Sequence, residues 1–506
     1  MAERVMRNIL LVTADEWRGD CLSAVGHPTV RTPNLDALAA DGVLFRNHFS
    51  QATPCGPARA SLYTGMYAHN HRSVDNGIPL DARHTNLALE VRRAGLDPAL
   101  FGYTDTMLDP RHLDPEDVRG KTYHQVLPGM TPVVAMDDHF RPWIAHLKRK
   151  GHDVTTEVHG VFRPVGDDGL GRAFSVSNHP PVFAAEDSQA AFLVDEVIDY
   201  LSVNQDRPWL VHISSFTPHP PFVAPEPYNT MYDPAQVGDP VRAPTVDEEA
   251  AAHPWLRHYL HNQGGSPFTV GAKSGRDNLR LTQADLRQIR ATYYGMISEF
   301  DAQMGRLIDH LKRTEAYDDT LIIVTSDHGE HLGDHWMFAK NSCFDQTFHV
   351  PLIVRDPSGA AAARGTQVDA FTEAIDVMPT ILDWLGLNPP AQCDGASLMP
   401  FCRGASVPEG WRTEAFSHFD YRNARDGDGN RVENLPAERC ALTVLRGKRF
   451  KYVHFTALPA LLFDLDNDPH ELRNLADDPA YAGVVREHAQ RMLSWRMSSE
   501  QRIVTA

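Results

Sequence analysis

The stretch "TLIIVTSDHGEHLGDH" (320–335) is an unbroken apolar run that stops at an acid and a histidine. Such a run, rich in Ile, Val and Thr and without alternation, spells a strand buried on both faces, as in a parallel sheet. Four similar runs occur, "NILLVT" (8–13), "PALFGY" (98–103), "WLVHIS" (209–214) and "VPLIVR" (350–355). Amphipathic segments lie between them. One helix is expected after Thr32–Pro33, capped at Thr32 and stopped at Gly42. The clearest covers 282–314, where Thr282 and Asp285 form a capping box and Leu286, Ile289, Tyr293, Ile297, Phe300 and Met304 keep helical spacing. This alternation predicts an α/β fold, with a large, mostly parallel sheet flanked by helices.

Two stretches rich in Pro, Asp and Gly, roughly 108–190 and 222–280, break the rhythm. They read as insertions over the strand ends, where such loops shape a pocket. After "DVMPTILDWLG" (376–386) come short strands, "CALTVLRG" and "RFKYVHF", and a final helix near 480–497. The expected division is a catalytic α/β domain over 1–390 and a smaller antiparallel α+β domain over 391–506.

A formal net charge of −18 argues against nucleic acid or an anionic membrane as partner. An anionic substrate would then need a locally positive site. No apolar stretch approaches the ~20 residues that span a bilayer. The run after Arg4 and Arg7 ends at Asp15 without a small-residue cleavage site, so a cytoplasmic location is expected. The six cysteines form no CxxC pair, which excludes a zinc ribbon and gives no disulfide framework. Five of them read as buried, inert thiols.

In open α/β sheets ligands bind beyond the carboxyl ends of the strands. The runs deliver Asp15 and Glu16, then Tyr103 and Asp105, then His219, then Asp327 and His328 to that edge. Each acid alone could cap a helix or a turn. Together, oxygen donors with one histidine suit a single divalent ion such as Mg²⁺, Ca²⁺ or Mn²⁺. His331 and His335 read as structural, and Asp334 with His335 is too small a cluster for a second metal.

The remaining signal is "TPCGPARASLYTG" (53–65). Pro57 fits the first turn of a helix and Gly65 its left-handed end, which places Cys55 at the helix N-terminus. A thiolate nucleophile, a buried capping thiol or a precursor of something else all fit that position. A cysteine-phosphatase loop does not, because only three residues separate Cys55 from Arg59.

"CGPARASLYTG" resembles the sulfatase signature, Cys-x-Pro-x-Arg followed by a Thr-Gly helix end. The resemblance extends through "TPNLDALAADGVLF" (32–45), "IDVMPTILDWLG" (375–386) and "LFDLDNDPHELRNLADDP" (462–479). Within the alkaline phosphatase superfamily the chain looks closest to the phosphonate monoester hydrolase branch, on "NHRSVDNGIPLD" (70–81), "PHPPFVAPEPYNTMYDP" (218–234) and "RQIRATYYGMISEFD" (287–301).

The resemblance implies that a formylglycine-generating enzyme oxidises Cys55 to formylglycine, whose hydrate is the nucleophile. It implies that Asp15, Glu16, Asp327 and His328 bind the metal with position 55, and that Arg59 holds the nucleophile. Lys340 and His219 match groups at the substrate oxyanion and leaving oxygen, and Asn76 and Tyr103 match pocket residues. Two positions depart from the branch. Glu16 stands where an amide or Asp is usual, and Asp105 where a hydroxyl residue is usual. An unpaired carboxylate at 105 would repel a phosphonate, so (aryl) sulfate monoesters are the expected main substrates. Phosphonate monoesters and phosphodiesters are the expected side activity, or in the alternative reading the main one. A homodimer or tetramer is the expected assembly.

Overall fold

The five apolar runs all enter one sheet, and burial explains their lack of alternation. In the computed structural model Ile9 and Leu11 face one hydrophobic core while Leu10 and Val12 face another. A strand covered by helices on both sides has no polar face to display. The structure describes residues 7–500 apart from 118, 120, 121, 123, 138, 158–159, 167–175, 263–278 and 427. Arg4 and parts of the two proposed insertions therefore lie outside the described residues.

In chain order the strands are β1 (Asn8–Ala14), β2 (Val43–Phe49), β3 (Ala52–Thr53), β4 (Pro98–Gly102) and β5 (Thr131–Ala135). Then come β6 (Leu210–Ser215), β7 (Thr320–Ser326), β8 (Leu352–Arg355) and β9 (Thr366–Glu373). The C-terminal strands are β10 (Glu414–Asp420), β11 (Ala441–Gly447), β12 (Phe450–Phe455) and β13 (Leu461–Asp464). Eight form the large sheet in the order β5-β4-β6-β1-β7-β8-β2-β9. β1 is central and runs parallel to both β6 and β7, so three strands end side by side at Ala14, Ser215 and Ser326. β8 is antiparallel to both its neighbours, which an apolar run cannot reveal because it carries no direction. β5 lies inside the stretch read as an insertion, and joins β4 as an edge strand.

The smaller sheet has the order β13-β12-β11-β10-β3. Its C-terminal strands pair antiparallel, but β10 pairs parallel with β3, two residues from the N-terminal half. β3 immediately precedes the helix α2 (Cys55–Thr64), so that helix starts where the two sheets meet. All ten of its residues are buried, and Gly65 ends it at φ 68°, the left-handed conformation that glycine adopts without strain.

The helix Gln283–Arg313 has the expected capping box at Thr282 and Asp285. The helix α1 (Pro33–Asp41) is capped differently from expectation. The Thr32 hydroxyl donates to Asp36 and caps no backbone N–H. Asp301, on the long helix, instead accepts from Leu35 N at 2.8 Å and Asn34 N at 3.2 Å.

Candidate active site

The ends of β1 and β7 are locked together before any ligand is considered. Asp327 Oδ1 accepts from Glu16 N at 3.1 Å and His328 N at 2.9 Å, and Ser326 Oγ accepts from Trp17 N. Glu16 takes φ 69°, a left-handed conformation imposed on a non-glycine residue. Such strain persists where the surroundings over-determine it, as at ligand sites.

Arg59, reaching from α2, organises the carboxylates. Its Nε donates to Asp327 Oδ2 at 2.9 Å, its Nη2 to Asp15 Oδ2 at 3.2 Å and its Nη1 to Ser214 Oγ at 2.6 Å. Its guanidinium carbon lies 4.5 Å from the Tyr103 ring centroid, a cation–π contact. Tyr103 Oη donates to Asp15 Oδ2 at 2.6 Å. Arg59 is fully buried and these partners occupy it, so it reaches position 55 through Asp15 and Asp327 and does not cradle a substrate oxyanion.

Cys55 Sγ lies 3.1 Å from His328 Nε2 and 3.9 Å from Asp15 Oδ1. His328 Nδ1 is 3.1 Å from the Gly329 carbonyl, which can only accept. That bond places the proton on Nδ1 and leaves the Nε2 lone pair directed at the cluster. Burial, and then the Asp15 carboxylate, push the Cys55 thiol well above its ordinary pKa.

Donor atoms of Asp15, Cys55, Asp327 and His328 all lie within 4.8 Å of one another, as do those of Asp15, Glu16 and His219. Asp15 belongs to both groups. Burial raises the carboxyls of Glu16 and Asp327, a cost that a cation among them would offset. Among the described residues, four carboxylates (Asp15, Glu16, Asp105 and Asp327) ion-pair with two permanent cations, Arg59 and Lys340, and a fifth, the buried Glu330, lies against Glu16. Carboxylates therefore outnumber cations in the cluster, and its hard donors fit a divalent ion.

Lys340 Nζ donates to Glu16 Oε2 at 2.9 Å and to His219 Nε2 at 3.0 Å. His219 Nδ1 is held by the Pro220 carbonyl at 2.6 Å, so its Nε2 accepts. Burial and then Lys340 lower the His219 pKa. Burial opposes the Lys340 ammonium, but Cys55, Glu16 and Asp15 outweigh it and hold the proton there. The resting pair is a charged lysine beside a neutral histidine.

Asn76 and Asp105 both make contacts that the sequence does not reveal. Asn76 Oδ1 accepts from Gly56 N at 2.8 Å, so this N–H of α2 is already taken and does not face a substrate. Asp105 is not an unpaired carboxylate. Its Oδ2 lies 3.8 Å from Arg59 Nε and its Oδ1 3.0 Å from His124 Nδ1. Sequence reasoning missed His124 because its stretch carries no strand or motif to single it out. His331 bonds Ser342 and Thr347, His335 bonds Glu249, and Asp334 is matched by Arg18 and Arg290, so these residues are structural.

Above Cys55 opens a cavity of about 550 Å³. Its floor is Asp15, Glu16, Cys55, Asn76, Tyr103, Asp105, His219 and Lys340, the predicted residues other than the buried Arg59, Asp327 and His328. Its walls include Phe140, Phe216, Tyr259, Phe419 and Tyr421. Among the described residues no helix is long and apolar enough to cross a membrane.

Known proteins resemble this chain along its length. The chain is 41% identical to the multifunctional alkaline phosphatase superfamily protein PehA of Trinickia caryophylli, over 99% of this chain and 97% of that one. It superposes on the phosphonate monoester hydrolase of Agrobacterium radiobacter with a TM-score of 0.92 and 47% identity, covering 97% of this chain and 96% of that one. Against the phosphonate monoester hydrolase SpPMH from Silicibacter pomeroyi the TM-score is 0.90 and the identity 39%, over 99% and 97% of the two chains. Residues 333–498 match the C-terminal region of N-sulphoglucosamine sulphohydrolase. With residues 7–387 matching the sulfatase family itself, the chain belongs to that family, in the alkaline phosphatase superfamily.

Proposed function

We propose that the protein is a metal-dependent hydrolase of phosphonate monoesters and phosphodiesters, with sulfate monoesters as its second activity. All three substrates carry one negative charge on a tetrahedral centre, so charge alone does not rank them. Shape does. A sulfate monoester has one organic arm, whereas a phosphonate monoester or phosphodiester has two. The observation that carries the ranking is the cavity wall, which is built from two separately packed aromatic groups. Phe140 and Phe216 stack edge to face at 4.9 Å in one core, while Phe419 and Tyr421, with rings 6.3 Å apart, belong to another. The pairing of Asp105 with Arg59 and His124 removes the ground for placing sulfate first. The similarity to the Agrobacterium and Silicibacter phosphonate monoester hydrolases supports the same order.

A divalent ion (Ca²⁺, Mg²⁺ or Mn²⁺) held by Asp15, Glu16, Asp327 and His328 would supply Lewis-acid charge beside position 55. Converted to formylglycine by a formylglycine-generating enzyme, Cys55 would supply a hydrated aldehyde that releases its acid product without attack by a second water. The other residues act as follows. Arg59 fixes the facing carboxylates of Asp15 and Asp327. Tyr103 orients Asp15. Lys340 holds a proton on Nζ next to the leaving oxygen, and His219 keeps that ammonium in place through Nε2. Such positioned proton transfer is worth about 10²–10⁴-fold.

The test is kcat/KM for 4-nitrophenyl phenylphosphonate, bis(4-nitrophenyl) phosphate and 4-nitrophenyl sulfate on one preparation. Its 53–65 peptide should have the mass of the aldehyde in place of the thiol. The phosphonate and diester are expected to exceed the sulfate by about tenfold or more, the scale of one well-placed apolar contact. A faster sulfate would reverse the ranking, and a retained thiol in active enzyme would remove formylglycine.

A further inference from the structure

Six carboxylates line the cavity, and sorting them by partner isolates one. Asp15 and Asp105 face Arg59, and Glu16 faces Lys340. Asp137 pairs with Arg141 at 2.9 Å, and Asp420 with Arg422 Nε at 2.9 Å. Asp75 is different. Its hydrogen bonds come from Asn76 N at 2.8 Å and from Asn423 Nδ2, both neutral donors. Arg422 is near, but it is committed to Asp420. Burial lifts the Asp75 carboxyl above its ordinary pKa.

Asp75 shares its cavity with aromatic rings. Its bond to Asn423 ties it to the segment after β10, from which Tyr421 and Ala424 line the same cavity, as does Phe419 at the end of β10 itself. Tyr421 is 1% exposed, and its hydroxyl has no hydrogen-bond partner among the described residues. A carboxylate held beside aromatic rings is the chemistry that recognises an alkylammonium group, by charge and by cation–π attraction. A neutral or anionic arm would gain nothing from Asp75. We propose that one organic arm of the natural substrate carries an ammonium group, which Asp75 seats against Tyr421 and Phe419. The inference rests on the ester-hydrolase reading of the cavity, but not on whether phosphorus or sulfur is the reacting centre.

The test compares isosteres that differ only in charge. In the phosphodiester series these are 4-nitrophenyl phosphorylcholine and 4-nitrophenyl 3,3-dimethylbutyl phosphate; in the sulfate series, choline sulfate and 3,3-dimethylbutyl sulfate. The cationic member is expected to have kcat/KM about tenfold higher in whichever series is turned over, the scale of a desolvated cation–π contact with a carboxylate. Asp75→Asn should bring that ratio down to within about threefold of unity. A wild-type ratio near unity overturns the proposal, as does an unchanged ratio in Asp75→Asn. Should neither series react, the ester-hydrolase reading fails by itself. The ammonium seat is then decided by calorimetric titration of phosphocholine and 3,3-dimethylbutyl phosphate into metal-loaded Cys55→Ala protein, where equal affinities overturn it. That titration and the wild-type ratio need no folded Asp75 variant.

Discussion

Two of the charge clusters in this molecule invite comparison, one at the mouth of α2 and one joining β11 and β12 to Asp345. In the second, Lys451 Nζ contacts Asp345 Oδ1 at 2.8 Å and Glu471 Oε2 at 2.7 Å, while Arg446 Nε contacts Asp345 Oδ2 at 2.7 Å. Two carboxylates meet two cations, and Lys451 is completely buried. The first cluster has the same residue types and lies deeper, but its carboxylates outnumber its two cations. A balanced cluster is complete and ties Asp345, on the short helix Asp345–Phe348, to β11 and β12. An unbalanced one is stable only with something added. The charge deficit, more than burial, sets the first cluster apart.

The sharpest way to break this contrast is at the thiol. Cys55→Ala should lower kcat/KM by about 10⁴-fold or more, as loss of a nucleophile does, while thermal unfolding shifts by no more than a few degrees. Activity near that of the wild type would mean that the unbalanced cluster is not the reactive centre.

The balanced cluster should respond in the opposite way. Lys451→Met leaves Asp345 and Glu471 to share Arg446 and is expected to cost about 3–5 kcal/mol of stability, the price of an uncompensated buried charge. Denaturant midpoints measure it. The folded fraction should keep its kcat/KM within about twofold, because Lys451 touches neither the cavity nor its supports. Lost turnover at full foldedness would show that the two clusters are coupled.

How much of this could be read from the chain follows from where each signal resides. Asp15, Glu16, Asp327 and His328 were legible because they directly follow apolar runs, and central strands of a parallel sheet end at one edge. Cys55, Pro57, Arg59 and Gly65 were legible as a local motif. β5, "TPVVA", was not, because it is a short edge strand begun beside a proline, with Pro132 and Val133 exposed. β9 was missed for a related reason: only its last three residues are buried. Thr32 looked like a cap, but Asp301 took the donors from 266 residues away along the chain, a distance no local pattern spans. The partners of Asp105 and Asp75, His124 and Asn423, come from separate loops whose meeting depends on the whole fold.

Asp105 yields the smallest and most discriminating effect. It contributes one of the cluster's carboxylates, yet it touches both Arg59 and His124, so it belongs to the charge deficit and to a neutralised pair at once. Asp105→Asn keeps the shape and an oxygen for His124 but removes one unit of the excess negative charge. One carboxylate facing a doubly charged ion across several ångströms is worth a few kcal/mol at most at an effective dielectric near 20, and Arg59 screens part of it. The divalent-ion concentration for half-maximal activity should therefore rise about tenfold. The phosphonate-to-sulfate ratio should meanwhile stay within about threefold, because the lost charge was paired with Arg59 and His124. Metal titrations run with both substrates separate the two roles. If the ratio moves and the metal dependence does not, Asp105 acts on the substrate, and the charge deficit that distinguishes this cluster from the one at Lys451 has to be counted without it.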